Sequence, residues 1–153
     1  MKVLEQTYNW LSVSKTKCIT VEDKLKEIQL IKKLVIEELD ELETAVLSNN
    51  KSEEYNAIAD SYVVLSNLPY MLDLNLDEIN NELDKTYLSN CTKYCKTLEE
   101  AEQTQQAYLN GTHPNKLGIK LETFIRQKDG IYYLVNKDEK IMKSINYLEP
   151  NQV

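Results

Sequence analysis

Apolar residues recur at helical spacing along most of this chain, and only the C-terminal part changes period. Val3, Leu4, Tyr8, Trp10 and Leu11 anchor a first predicted helix from Val3 to about Ser14. Thr20 is placed as an N-cap, with Glu22 and Asp23 at the end of the helix dipole that favours acids. From there one unbroken helix is predicted to about Ser48. Its recurring apolar face is Leu25, Ile28, Ile31, Leu34 or Val35, Leu39, Leu42 and Val46. Ser48-Asn49-Asn50 closes it, and Ser52 is read as the cap of a third helix through Asp60, Val64 and Leu68. Pro69 interrupts or kinks that helix, having no amide proton and disfavouring helix at Leu68. A fourth helix is predicted from near Asp77 past Asn90. Thr97-Leu98-Glu99-Glu100 has the capping-box pattern and opens a fifth, closed by Asn110-Gly111.

The pattern then switches. Ile119, Leu121, Thr123 and Ile125 alternate, Asp129-Gly130 signals a turn, and Ile131-Tyr132-Tyr133-Leu134-Val135 is rich in strand formers. The expected fold is therefore mainly α: a bundle of about five helices with a small C-terminal β-hairpin or three-stranded sheet. Residues 1–115 are read as the bundle and residues 116–153 as a β appendage of the same domain. Only 3 Gly and 3 Pro occur among 153 residues, which agrees with a helical chain long enough to bury a core.

Charge narrows the partners. A net charge of −7 argues against nonspecific nucleic-acid binding. The distribution is uneven: residues 21–60 hold eleven acids and five bases, residues 116–144 seven bases and four acids. The basic segment either pairs with the acidic bundle surface or clamps a metal-bound polyphosphate. No run approaches the roughly 18 apolar residues of a membrane span, and the N-terminus lacks a secretory pattern. A soluble, cytoplasmic protein is expected. Cys18, Cys91 and Cys95 are an odd set without framework spacing and are read as reduced structural thiols. Trp10 and Tyr62 are read as core residues, and His113 as a loop residue without a role.

The candidate chemistry lies in Glu37-Glu38-Leu39-Asp40-Glu41, followed after a loop by Asn56-Ala57-Ile58-Ala59-Asp60. Glu37, Glu38 and Glu41 point into one neighbourhood on a helix and repel one another. Carboxylates from two adjacent helices suit a hard cation such as Mg²⁺ or Mn²⁺. Taken alone, such a string also describes a solvated helix face. Farther on stand Ser89-Asn90-Cys91-Thr92-Lys93-Tyr94, then Cys95-Lys96-Thr97-Leu98-Glu99-Glu100-Ala101-Glu102, and a tail from Asp138-Glu139-Lys140-Ile141-Met142-Lys143 to Ser144-Ile145-Asn146-Tyr147.

In this order the segments resemble the all-α NTP pyrophosphatase superfamily, the MazG-like proteins, and within it the phosphoribosyl-ATP pyrophosphohydrolase-like branch. The resemblance spans about residues 25–150. It implies Mg²⁺-dependent hydrolysis (Mn²⁺ being the alternative ion) of a nucleoside triphosphate to the monophosphate and pyrophosphate. By the same resemblance Glu38, Glu41 and Asp60 are metal ligands and Glu37 orients or deprotonates the attacking water. Asn90 and Lys93 grip phosphate oxygens, joined by Lys140 and Lys143, and the protein is a homodimer or homotetramer. The chain departs from the family pattern at the second motif, where an acid is usual and Asn56 and Ala57 stand instead. Alanine ligates nothing; Asn56 offers a neutral carbonyl oxygen one turn from Asp60, and Glu53 lies one turn before Ala57. That departure motivates one other reading, a catalytically weak nucleotide-binding or regulatory relative; a second is a plain helical interaction domain whose acidic stretch is only surface.

Overall fold

A computed structural model describes residues 2–153. The protein is mainly helical, with a small two-stranded antiparallel sheet near its C-terminus. Its helices are α1 (Lys2–Ser14), α2 (Val21–Leu47), α3 (Lys51–Leu65), the single turn α4 (Leu68–Met71), α5 (Leu76–Cys91) and α6 (Leu98–Asn110). The strands are β1 (Phe124–Lys128) and β2 (Ile131–Val135). The chain forms two compact units, Met1–Asn80 and Asn81–Val153, so the change of unit falls within α5. No helix among the described residues is long and apolar enough to cross a membrane.

Helix ends obey local chemistry. Thr20 caps α2 by accepting the Asp23 N–H at 3.1 Å. The cap of α3 is Asn50, not Ser52: its Oδ1 accepts the Glu53 N–H at 3.4 Å. Asn49 makes the sharp turn by adopting φ 53°, a conformation asparagine tolerates better than most side chains. The third helix also ends earlier than expected, at Leu65, and Pro69 lies in the first turn of α4. A proline is tolerated there because its missing N–H would have no helical partner anyway. Thr97 caps α6, and Gly111 ends it at φ 72°.

In the first unit α2 and α3 form an antiparallel hairpin. Ala45 and Ala57, both buried, let the two backbones approach. A separate cluster joins Leu11 of α1 to Tyr70 and Met71 of α4. Tyr70 donates to the Lys15 carbonyl at 2.9 Å and meets Tyr8 edge to face. The recurring apolar face expected for α2 is mostly not core. Ile31 is buried, whereas Leu25, Leu39 and Val46 are more than half exposed. A helix supported mainly by one neighbour buries a narrow strip of its surface, and a wide stripe outruns that cover. Trp10 and Tyr62, expected in the core, are 58% and 56% exposed.

In the second unit α6 packs on the hairpin. Cys95, Ala101, Tyr108 and Leu134 form its core, with Leu121, Ile125, Tyr132 and Met142 against them. Phe124 pairs with Val135 through to Lys128 with Ile131. Asp129 and Gly130 turn the corner at φ 51° and 81°, the positive pair that matches the twist of a two-residue hairpin. Isolated bridges, Cys95 to Tyr132 and Val135 to Ile141, extend the pairing without a third strand. The alternation from Ile119 to Thr123 is not strand. The Gly118 and Leu121 N–H groups instead reach the Gly111 and Tyr108 carbonyls at the end of α6.

Candidate functional site

The acidic candidates belong to the first unit. Glu37, Glu38 and Glu41 lie on α2, and Asn56 and Asp60 on α3, the helix packed against it. Glu38 is half-buried, and burial is the main force raising its carboxyl above the usual carboxylate range. The charges of Glu41, Asp60 and Glu37 push it the same way. The hairpin therefore brings Asp60 within electrostatic reach of the α2 acids. Among the described residues, Glu38, Glu41 and Asp60 form no ion pair with a base. Glu37 does, with Lys33 one turn earlier at 3.6 Å.

A cleft of about 400 Å³ opens where α2 ends and α3 begins, lined by Asp40, Glu41, Thr44, Ser48, Asn50 and Glu53. Glu53 thus shares a wall with Glu41, while Ala57 is buried in the helix interface. The donors are hard oxygens on facing helices, the right chemistry for Mg²⁺ or Mn²⁺. Yet among the described residues no three Asp, Glu, His or Cys side chains stand close enough together to hold a metal ion. A bound ion would have to pull Glu38, Glu41 and Asp60 inward.

The other candidates belong to the second unit, where two of the sequence segments form one hydrogen-bonded clasp. Ser89, buried at the end of α5, donates to the Leu148 carbonyl at 2.8 Å and lies 2.7 Å from the Tyr147 hydroxyl. Thr92 Oγ1 accepts the Leu148 N–H at 2.9 Å, and Ser144 donates to the Thr92 carbonyl at 2.7 Å. Thr104 of α6 accepts the Ile145 N–H at 3.1 Å. So Ser89 and Thr92 face the tail. Asn90 is exposed and Lys93 half-buried, and neither side chain has a hydrogen-bond or ion-pair partner among the described residues.

The two tail lysines differ. Lys140 is exposed without a side-chain partner among the described residues. Lys143 pairs with Glu149 at 2.5 Å and sits 4.1 Å from the centre of the Tyr147 ring.

His113 lies in the loop after α6, as expected, but is not at the surface. It is fully buried, stacked on Tyr108 at 4.0 Å between ring centres. Its Nε2 faces the carbonyl oxygens of Lys143 and Ser144 at 3.1 and 3.2 Å, and its Nδ1 accepts the Asn115 N–H. Carbonyls only accept and an amide N–H only donates, so the ring is neutral with its proton on Nε2. Burial lowers its pKa, partly opposed by the two carbonyl contacts. Tyr108 donates to the same Lys143 carbonyl at 3.0 Å, and burial pushes its phenol up to about 12. The signal was slight: a lone histidine between a helix-ending glycine and a proline, five residues after a tyrosine.

The chain matches no protein-family model, no curated protein and no solved structure.

Proposed function

We propose that this protein is a metal-dependent nucleoside triphosphate pyrophosphohydrolase of the all-α MazG-like kind. It would act in the cytoplasm, releasing pyrophosphate and leaving the monophosphate. The observation that carries this reading is the group of unneutralised carboxylates on facing helices, Glu38 and Glu41 against Asp60, where burial and like charge together disfavour the ionised form of Glu38. Such an arrangement costs stability in the absence of a cation and is relieved by one.

Glu38, Glu41 and Asp60, with the neutral oxygen of Asn56, would hold Mg²⁺ or Mn²⁺. Such an ion, when bound, lowers the pKa of a coordinated water and offsets phosphate charge. Glu37 exchanges its exposed ion pair with Lys33 for the attacking water, orienting it and taking its proton. By the same resemblance the second unit carries the candidate phosphate contacts, Asn90 as an amide donor and Lys93 and Lys140 as cations. Lys143, paired with Glu149, is a fourth candidate. A homodimer or homotetramer is part of the proposal, supported by the exposed apolar side chains Leu25, Leu39 and Val46 on α2 and Tyr55, Ile58 and Tyr62 on α3.

A second reading, a nucleotide-binding relative with little turnover, is favoured by buried Ala57 and by the separation of the acidic donors from one another. A pyrophosphate-release assay over the common NTPs and dNTPs, with Mg²⁺, Mn²⁺ or EDTA, separates the two. Metal-dependent release of monophosphate is the expected result. Tight nucleotide binding without release selects the second reading. Neither binding nor release leaves a helical interaction domain.

A further inference from the structure

The small sheet of the second unit is covered along one edge and open along the other. Tyr132 of β2 exchanges both main-chain hydrogen bonds with Cys95, at 2.8 and 3.2 Å, and the Leu134 carbonyl accepts the Met142 N–H at 2.8 Å. These groups of Tyr132 and Leu134 therefore point away from β1. In an antiparallel ladder the residue opposite such a position also turns its N–H and C=O outward. Gln127 lies opposite Tyr132 and Ile125 opposite Leu134, so these two residues form the outer row of β1. Only the start of that row is closed: Gln105 of α6 donates to the Thr123 carbonyl at 2.7 Å. Beyond it, the outward main-chain groups of Ile125 and Gln127 have no partner among the described residues. They stand about 6.8 Å apart, the two-residue repeat of an antiparallel strand.

The side chains state what a further strand would have to carry. Phe124, Arg126 and Lys128 alternate onto one face of β1, and all three are exposed. Lys128 has no ion-pair partner among the described residues. Arg126 holds Glu139 at 2.9 Å in an exposed pair, a kind that contributes little to stability and gives way to a competing carboxylate. Ile125, on the other face, packs against the core of the unit. Positive charges on a short edge strand guard it against its own kind. Antiparallel self-pairing over the full strand would set Arg126 opposite Arg126 of a second copy, and like charges directly opposite are destabilising. The same charges favour a strand that brings carboxylates.

We propose that the outer edge of β1 is a docking site for an extended acidic segment of a partner protein, which adds to the sheet as a third strand. The N–H and C=O groups of Ile125 and Gln127 supply the main-chain hydrogen bonds, and alternate side chains supply the selectivity. Acids on one face of the docked segment meet Arg126 and Lys128, while apolar residues on its other face extend the cover over Ile125. Charge complementarity of this kind rejects a second copy of β1 and admits an acidic strand. The site uses none of the residues assigned to metal or phosphate, so it stands or falls independently of the hydrolase reading.

The test titrates the intact protein with a short end-capped peptide that alternates valine and aspartate, and with its valine–lysine counterpart, following backbone amides by NMR. The acidic peptide is expected to shift the amide signals of residues 124–128 and to slow hydrogen exchange at Ile125 and Gln127. The basic peptide is expected to bind at least about tenfold more weakly. Gln127→Pro removes an outward N–H and none of the bonds to β2, so it is expected to abolish docking with the melting temperature retained. Lys128→Glu, at an exposed side chain, is expected to weaken the acidic peptide about tenfold and serves as the second variant should Gln127→Pro fail to fold. No shifts, shifts centred away from β1, equal binding of the two peptides, or binding untouched by both variants overturns the proposal. So do concentration-dependent shifts of the Ile125 and Gln127 amides without peptide, which would make a second copy the occupant.

Discussion

The α2–α3 hairpin and the C-terminal clasp solve opposite problems. The hairpin keeps its acids on the outside, leaves Glu38, Glu41 and Asp60 without basic partners among the described residues, and exposes many of its large apolar side chains. The clasp buries Ser89, Thr104, His113 and Ser144 almost completely and gives each a hydrogen-bond partner. Unsatisfied charge in the first region and satisfied polarity in the second point to different work. A binding group is held at a cost until its ligand arrives, whereas a structural polar group is paired in advance.

The sharpest way to break this contrast is to remove a charge from the hairpin. Glu41→Gln or Asp60→Asn is expected to lower pyrophosphate release by about 100-fold or more, the scale of losing an anionic metal ligand or its support. The fold should persist by circular dichroism. Unchanged release in both variants would end the metal assignment. Next comes assembly. Ile58→Glu, on the exposed face of α3, is expected to shift the protein toward monomer in analytical ultracentrifugation, and an unaltered sedimentation profile would locate the interface elsewhere.

The clasp should respond in stability instead. Ser89→Ala strips a donor from the Leu148 carbonyl and a partner from the Tyr147 hydroxyl, at about 1–3 kcal/mol for a buried polar group left unpaired. Urea unfolding measures it, and a loss below a few tenths of a kcal/mol would show that the clasp is ornamental. Acid should loosen the clasp too. His113 has a folded pKa below its ordinary 6.5, so its contribution is present above that value and is lost as pH falls through the folded pKa. Amide exchange of residues 143–148 should accelerate over that window, and His113→Asn should abolish the pH dependence that tracks the imidazole resonance.

The smallest effect has the opposite sign. Glu38 has a raised folded pKa, so its stabilising contribution is complete below 4.5 and fades as pH rises through the folded value. At neutral pH Glu38→Gln should therefore raise the stability of the metal-free protein, by a few tenths of a kcal/mol for each like-charged neighbour relieved. The same variant should abolish turnover. A fall in stability would mean that the carboxylate has a favourable partner.

Helix identities were legible in the chain because they depend on local chemistry. Thr20 and Thr97 accept N–H groups three residues farther along, Gly111 takes the left-handed turn that ends α6, and Asp129-Gly130 fits the positive pair a tight hairpin needs. The nearness of Asp60 to Glu38 was legible too, since two helices joined by a three-residue turn must pack side by side. Burial was not. Leu39 and Tyr62 carry the right pattern for a core and lie outside, because periodicity marks a face without saying whether anything covers it. Ser89, Thr104 and His113 carry no apolar pattern and lie inside, because their partners come from residues about 30 to 60 positions away in sequence. The sequence determined the helices, the hairpin and the charges they carry. The tertiary structure decided which polar groups were paired with protein partners and which were not, since pairing is settled by contacts between distant segments that no local rule encodes.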